Sequence, residues 1–284
     1  MLTIWRLIKE TALSWSADFA PSMGAALAYY TLFSLAPLLI IVIAVAGFVF
    51  GQEAVHGEIF GQLQGLLGDE GATTVQELLK SATNTKSGVV ATVVGVVFLV
   101  FGATTVFAEL QSDLDRIWKV PPRQNSGLWT LVRHRLLSFG MVLGVAFLLL
   151  ISLIVSAALA AFSRWSQGWF GLETLLQWIN FVLSFALTTG LFAMIYKILP
   201  GVPIAWRDVW IGSAITALLF TIGKFAIGLY IGRSDLGAAY GAAGCLVTVL
   251  VWVYYAAQIF FFGAEFTLVY AKTHGSHAMP RRTT

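Results

Sequence analysis

Long apolar runs constrain this chain most: they recur along its 284 residues at the length a membrane-crossing helix requires. A helix rising 1.5 Å per residue needs about 20 apolar residues to cross a hydrocarbon layer about 30 Å thick. No core of a soluble domain needs repeated runs of that length. Composition agrees, since 58% of the residues are hydrophobic and 11% charged, against about 25% charged in ordinary soluble domains. The pattern predicts an all-α fold, a polytopic membrane helical bundle.

Six transmembrane spans are expected, near 27–51, 88–108, 136–162, 174–199, 208–231 and 241–271. They form a single integral membrane domain over 1–272, followed by a polar tail over 273–284. Ala26-Leu27-Ala28 resembles a cleavage site but precedes the first apolar run, so the first span is expected to be retained.

Basic residues set the orientation. Arg6 and Lys9 precede span one; Arg116, Lys119, Arg123, Arg133 and Arg135 follow span two; Lys197 and Arg207 follow span four; Lys272, Arg281 and Arg282 follow span six. These twelve lie on one side, against Lys80, Lys86, Arg164 and Arg233 on the other. The positive-inside rule then places both termini in the cytoplasm.

Ile4, Ile8, Ala12, Trp15 and Phe19 recur at helical spacing and predict an amphipathic N-terminal helix, lying in the inner interface or packed beneath the bundle. Residues 53–83 predict an extracytoplasmic helical hairpin. Val55, Ile59, Leu63, Leu66 and Leu67 form one stripe, Gly68-Asp69-Glu70-Gly71 a turn, and Val75, Leu78, Leu79 and Ala82 a second stripe. Such apolar faces must be hidden, on the outer ends of the spans or in lipid headgroups. Pro37 predicts a kink or local unwinding in span one, and Pro121-Pro122 ends the helix that carries span two past the membrane.

Several chemistries find no footing. The 17 Lys and Arg residues are scattered along the chain, all but Lys224 between the apolar runs or at their ends, so no nucleic-acid surface is expected. Cys245 stands alone, which leaves no disulfide framework. His56, His134, His274 and His277 are dispersed, and no metal-ligand spacing, phosphate loop or nucleophile elbow occurs. Neither an enzyme nor a bound cofactor is expected, and no catalytic residue is assigned.

Polar groups inside spans carry the functional expectation. In span six, Gly237, Gly241, Gly244, Thr248, Tyr255, Gln258, Phe262 and Glu265 follow steps of four and three, with Val251 filling the gap. This helix-packing seam is expected to face the interior, small at one half and polar at the other. Lys224 in span five would cost about 2.5 to 3.5 kcal/mol in bare lipid. It is therefore expected to meet a substrate phosphate or carboxylate, or else backbone carbonyls. Helical rise sets it roughly 25 Å in depth from Glu265, too far for a salt bridge. Glu109 and Glu265 should sit near Arg116, Lys119, Arg207 and Lys272, as a charged inner gate or an interfacial ion-pair network. Lys224, Gln258, Glu265 and Glu109 are the substrate-binding candidates.

Three stretches carry a family resemblance: Ala25 through Pro37 (AALAYYTLFSLAP), Phe107 to Trp118, and Gly237-Ala238-Ala239-Tyr240-Gly241 running to Gly263-Ala264-Glu265-Phe266. In this order they resemble the YihY/BrkB family of bacterial inner-membrane proteins, over nearly the whole chain. The resemblance implies a six-span inner-membrane protein, similar to members linked to envelope integrity, serum resistance and movement of lipids or lipopolysaccharide precursors. Members have also been labelled ribonuclease BN, but a nuclease needs metal-binding carboxylates or His clusters, which the expected cytoplasmic segments lack. Two classes of function follow. One is a transporter of a lipid or other anionic amphiphile, with membrane lipids as partners; the other is a non-transporting envelope scaffold.

Overall fold

A computed structural model describes residues 2–50, 89–121, 172–233 and 244–275, with isolated positions between 57 and 77 and at Gly140 and Gly144. Regular structure among the described residues is entirely helical. Its long elements are α1 (Leu2–Ala17), α2 (Ala20–Phe50), α3 (Val89–Ile117), α4 (Leu172–Ile198), α5 (Trp206–Arg233) and α6 (Gly244–Thr273). Three of them contain segments long and apolar enough to cross a membrane: Phe181–Ile198, Trp206–Leu229 and Leu246–Thr273. Span 136–162 apart from Gly140 and Gly144, Gly237 and Gly241 of the seam, most of hairpin 53–83 and most of the tail lie outside the described residues.

Local chemistry explains where these helices stop. After α3, Lys119 N–H bonds Arg116 C=O at 3.1 Å and Val120 N–H bonds Asp115 C=O at 2.8 Å, with Lys119 left-handed at φ 54°. That is a Schellman closure with lysine where glycine is usual. The helix therefore ends before Pro121. Phe19, at φ 60°, separates α1 from α2 and accepts the N–H groups of Ser22 and Met23. Pro21 follows in the first turn of α2, where its missing N–H costs nothing. At Pro37 the sequence predicts a kink or unwinding, yet α2 stays helical from Ala20 to Phe50, so no unwinding occurs.

Helix α6 is the hub, packed against α1, α2, α3 and α5, while α2 also packs on α3 and α4 on α5. Two interlocks hold α5 to α6. A Cβ on Gly212 would strike Thr267, and one on Gly263 would strike Thr216. Gly212-x3-Thr216 and Gly263-x3-Thr267 thus form a reciprocal antiparallel pair in which each glycine admits the other helix's threonine. Both threonines return their hydroxyls to their own helix, at Gly212 and Gly263 C=O. Tyr196 of α4 completes the contact, donating to Phe260 C=O at 2.7 Å and lying 3.2 Å from the Thr216 hydroxyl. Around it, Phe192, Phe220, Phe260 and Phe261 form an aromatic core.

Large apolar side chains also face outward. Trp178, Phe181 and Val182 of α4 and Leu218, Ile222 and Phe225 of α5 are exposed. A soluble domain hides such continuous apolar faces, whereas lipid accommodates them. The N-terminal helix divides its own surface in two. Thr11 is fully buried and Trp15 packs against the core, whereas Ile4, Trp5, Ile8 and Leu13 are exposed. Ile4 and Ile8 of the predicted stripe thus lie on the free face, and α1 packs on α6 through the turn carrying Thr11 and Trp15. At the opposite end of the bundle, Val75 and Ile59 join a cluster with Ile43 of α2 and Val249 of α6.

Candidate functional site at the charged end of the bundle

The α1–α2 turn, the end of α3, the α4–α5 connection and the end of α6 converge. Asp115 of α3 accepts the Gly201 N–H at 2.6 Å, and Gln111 donates to Leu199 C=O at 3.0 Å. Both bonds pin α3 to the loop after α4. Asp208, buried in the first turn of α5, complements that helix's dipole. It also lies so close to Gly275 that a side chain there would collide with it. Lys197 donates to Ile204 C=O and stands 5.3 Å from the Trp206 ring centre. Segments that the sequence assigns to one side of the membrane are therefore together in space.

Glu265 is the central group, fully buried in α6, with no N–H donor on its carboxyl oxygens among the described residues and the Asp18 carboxyl as its side-chain neighbour. Its charged neighbours are Asp18 from the α1–α2 turn, Lys119 from the end of α3 and Lys272 from its own helix. Lys119 forms an ion pair with Asp18, whose side chain is 13% exposed. Burying a charge without donors is costly. The bundle nevertheless holds two acidic groups together here, with one ammonium on the nearer.

A cavity of about 430 Å³ adjoins this cluster, lined by Asp18, Phe19, Asp115, Arg116, Lys119 and Pro121 among others. Phe19 and Lys119, which both line it, are the non-glycine residues at positive φ among those described. Left-handed backbone costs such residues roughly 1–2 kcal/mol each. Sparsely populated conformations of this kind cluster where side chains are needed for function.

The predicted ring of charges divides. Glu265 faces Asp18, Lys119 and Lys272, whereas Glu109, half-buried, acts on Asp113 one turn further along α3. Burial, then the Glu109 charge, push the Asp113 carboxyl from 3.8 up to about 7, against the opposing pull of Arg116. Arg207 is exposed and takes no part in an ion pair among the described residues.

Other predicted site residues are dispersed. Lys224 is exposed, on a surface shared with Ile222 and Phe225, and is not brought to Gln258 or Glu265. The register set by Gly212 with Thr267 and Thr216 with Gly263 places Lys224 level with Tyr255, about ten residues or ~15 Å from Glu265. That separation is shorter than the ~25 Å inferred from span boundaries, because α6 runs deeper past α5 than those boundaries imply. Gln258 is half-buried, reaches Ala20 C=O at 3.5 Å, and leaves its Oε1 without a partner among the described residues. Gly24 makes room for it, since a Cβ there would meet its amide.

Along the seam, Thr248 and Glu265 are buried and Val251, Gln258 and Phe262 partly so, but Tyr255 is 47% exposed. The interior expectation therefore fails at Tyr255. Asp18, Asp113 and Asp115 were missed as site residues. The signal for Asp18 was the proline three positions later, which announces a helix start and therefore a turn at the cluster. For Asp113 and Asp115 it was two carboxylates in the last turns of a helix, where the dipole disfavours them.

Comparison with known proteins places this architecture. The chain is 28% identical over 254 residues to a UPF0761 membrane protein of Alcanivorax borkumensis, covering 87% of this chain and 56% of that protein. It is 27% identical over 270 residues to a UPF0761 membrane protein of Verminephrobacter eiseniae, covering 93% of this chain and 62% of the relative. A UPF0761 membrane protein of Pseudomonas aeruginosa is 29% identical over 253 residues, at 87% and 58% coverage. The chain thus spans about three-fifths of the length of these curated relatives. No solved structure matches it. The family model described as Virulence factor BrkB matches residues 12–283, and the chain belongs to that family of membrane proteins.

Proposed function

We propose that this protein moves a lipid or other anionic amphiphile across or within the bacterial inner membrane, in the service of envelope maintenance. The observation that carries the reading is Glu265: a fully buried carboxyl group that meets no N–H donor among the described residues, inside a helix long enough to cross the membrane. Ionisable groups buried within membrane-spanning helices are costly and are candidates for substrate pathways. Asp18 and Lys119 link it to a charged cavity, supporting a route that begins at this end of the bundle. Six spans, an outer hairpin over 53–83 and cytoplasmic termini complete the proposed topology, in which the charged end faces the cytoplasm. The protein is not an enzyme in this reading, its partners are membrane lipids, and Lys224 meets lipid phosphate at the bundle surface.

A scaffold that organises other envelope proteins is the second reading, favoured by the exposed apolar faces of α4 and α5. Reconstitution into liposomes with headgroup-labelled lipids separates the two. Movement faster than in protein-free vesicles, lost in Glu265→Gln, is expected; no movement for any headgroup would exclude transport. A reporter at residue 284 found outside the cytoplasm would overturn the topology.

A further inference from the structure

The cavity at the charged end holds two acids and two bases in a defined state of engagement. Asp18 is committed to Lys119, and Asp115 uses one oxygen on the Gly201 N–H. The Arg116 guanidinium makes no ion pair among the described residues and is exposed at the cavity. Lys119, its side chain 58% exposed, keeps further N–H donors beyond the one given to Asp18. The cavity therefore offers a paired cationic edge and, beside it, the unused oxygen of Asp115. A plain anion would satisfy the first and be repelled by the second.

Apolar surface completes the lining. Phe19 is 68% exposed, and Pro121 stands with it in the cavity wall. The left-handed backbone at Phe19 and Lys119 would be relieved by glycine at either position, so ring and ammonium are kept at a cost. Next to the turn, α1 exposes Ile4, Trp5, Ile8 and Leu13, a surface suited to the level of lipid headgroups.

We propose that this cavity binds a phosphate ester carrying a primary ammonium, the headgroup of a zwitterionic phospholipid. Its phosphate is held by Arg116 and Lys119, its ammonium by Asp115, and its glycerol end passes over Phe19. The inference deepens the amphiphile reading and rests on it only for the membrane origin of the ligand. A protein that binds the lipid without moving it would fail the transport assay and still pass the binding test.

The test is native mass spectrometry of the full chain released from detergent with equimolar phosphatidylethanolamine and phosphatidylglycerol, then with free phosphoethanolamine. Phosphatidylethanolamine should dominate the bound state. Arg116→Gln and Lys119→Gly should each weaken it about tenfold, as expected for one lost charge-assisted contact, without lowering the unfolding temperature. Equal retention of phosphatidylglycerol would overturn the zwitterionic assignment. Equal retention of the free ester would overturn the lipid source, and unchanged binding in both variants would overturn the site.

Discussion

Lys119 and Asp18 stand 101 positions apart in the chain, yet their ion pair joins the last turn beyond α3 to the α1–α2 turn. The pair lies over the buried Glu265 and in the wall of the charged cavity. A partly exposed pair of this kind stabilises by about 0.2–1 kcal/mol, so stability alone does not account for a lysine held left-handed.

Substitution at Lys119 separates backbone from charge. Lys119→Gly loses the pair but relieves the left-handed backbone, and should leave the unfolding temperature in detergent nearly unchanged. Lys119→Ala loses the pair and keeps the strain, and should fall about 1 kcal/mol below the glycine variant. Equal stability of the two variants would show that the closure of α3 is not strained.

Glu265→Gln should preserve or raise stability, because no N–H donor among the described residues meets the buried carboxyl and the Asp18 carboxyl faces it. In a chain of this size each kcal/mol gained raises the unfolding temperature by about 2–4 °C. A large fall in thermal stability would instead reveal a structural role for the carboxylate.

Gly263→Ala tests the interlock of α5 and α6. The added carbon would press on the Thr216 hydroxyl and lie 2.8 Å from the Tyr196 hydroxyl, so helix α6 must shift. A loss of about 1–3 kcal/mol is expected, as for other overpacked cores. Gly228, whose Cβ would meet open space, supplies the control: Gly228→Ala should be neutral or slightly stabilising. Similar stability of both variants would argue against the interlock.

Asp113 confers a pH dependence whose sign follows from its raised value. The folded protein holds this proton up to about pH 7, whereas an ordinary carboxyl releases it near 3.8. Its contribution is therefore complete below the lower value and is lost as pH rises through the higher one. Melting curves between these limits should show stability falling with pH, by an amount on the order of a few kcal/mol at most. Asp113→Asn should flatten that part of the profile, and an unchanged slope in the variant would refute the assignment.

Much of the architecture was legible in the letters because the membrane imposes a length on each helix. Helices α4 and α5 begin within two residues of the predicted spans and end within two of them. Helix α2 begins seven residues before span one and α3 continues nine residues past span two. Those extensions are polar or mixed in sequence, and hydropathy weighs lipid contact alone. They are held as helix by packing and end closures, which periodicity does not register.

The site was legible only in part. Glu265 and Glu109 were visible as charges at span ends, and Thr248 and Glu265 prove buried as their spacing predicted. Lys224 is as prominent in the sequence, since an isolated cation in an apolar run reads the same whether its helix turns it inward or outward. Only the packing of α5 on α6 through Gly212, Thr216 and Gly223 fixes that rotation, and it leaves Lys224 exposed.

By itself the sequence determined that the chain is helical and suited to a membrane, with its charges partitioned between the helix ends, because transfer of each segment into lipid depends on local composition. Tertiary structure decided which charges meet. Asp18, Lys119 and Glu265 come from three distant segments, and their meeting depends on how α2, α3 and α6 are rotated and set against one another. A shift of one residue on an α-helix turns a side chain by about 100°. That angle separates a buried carboxylate from one facing lipid.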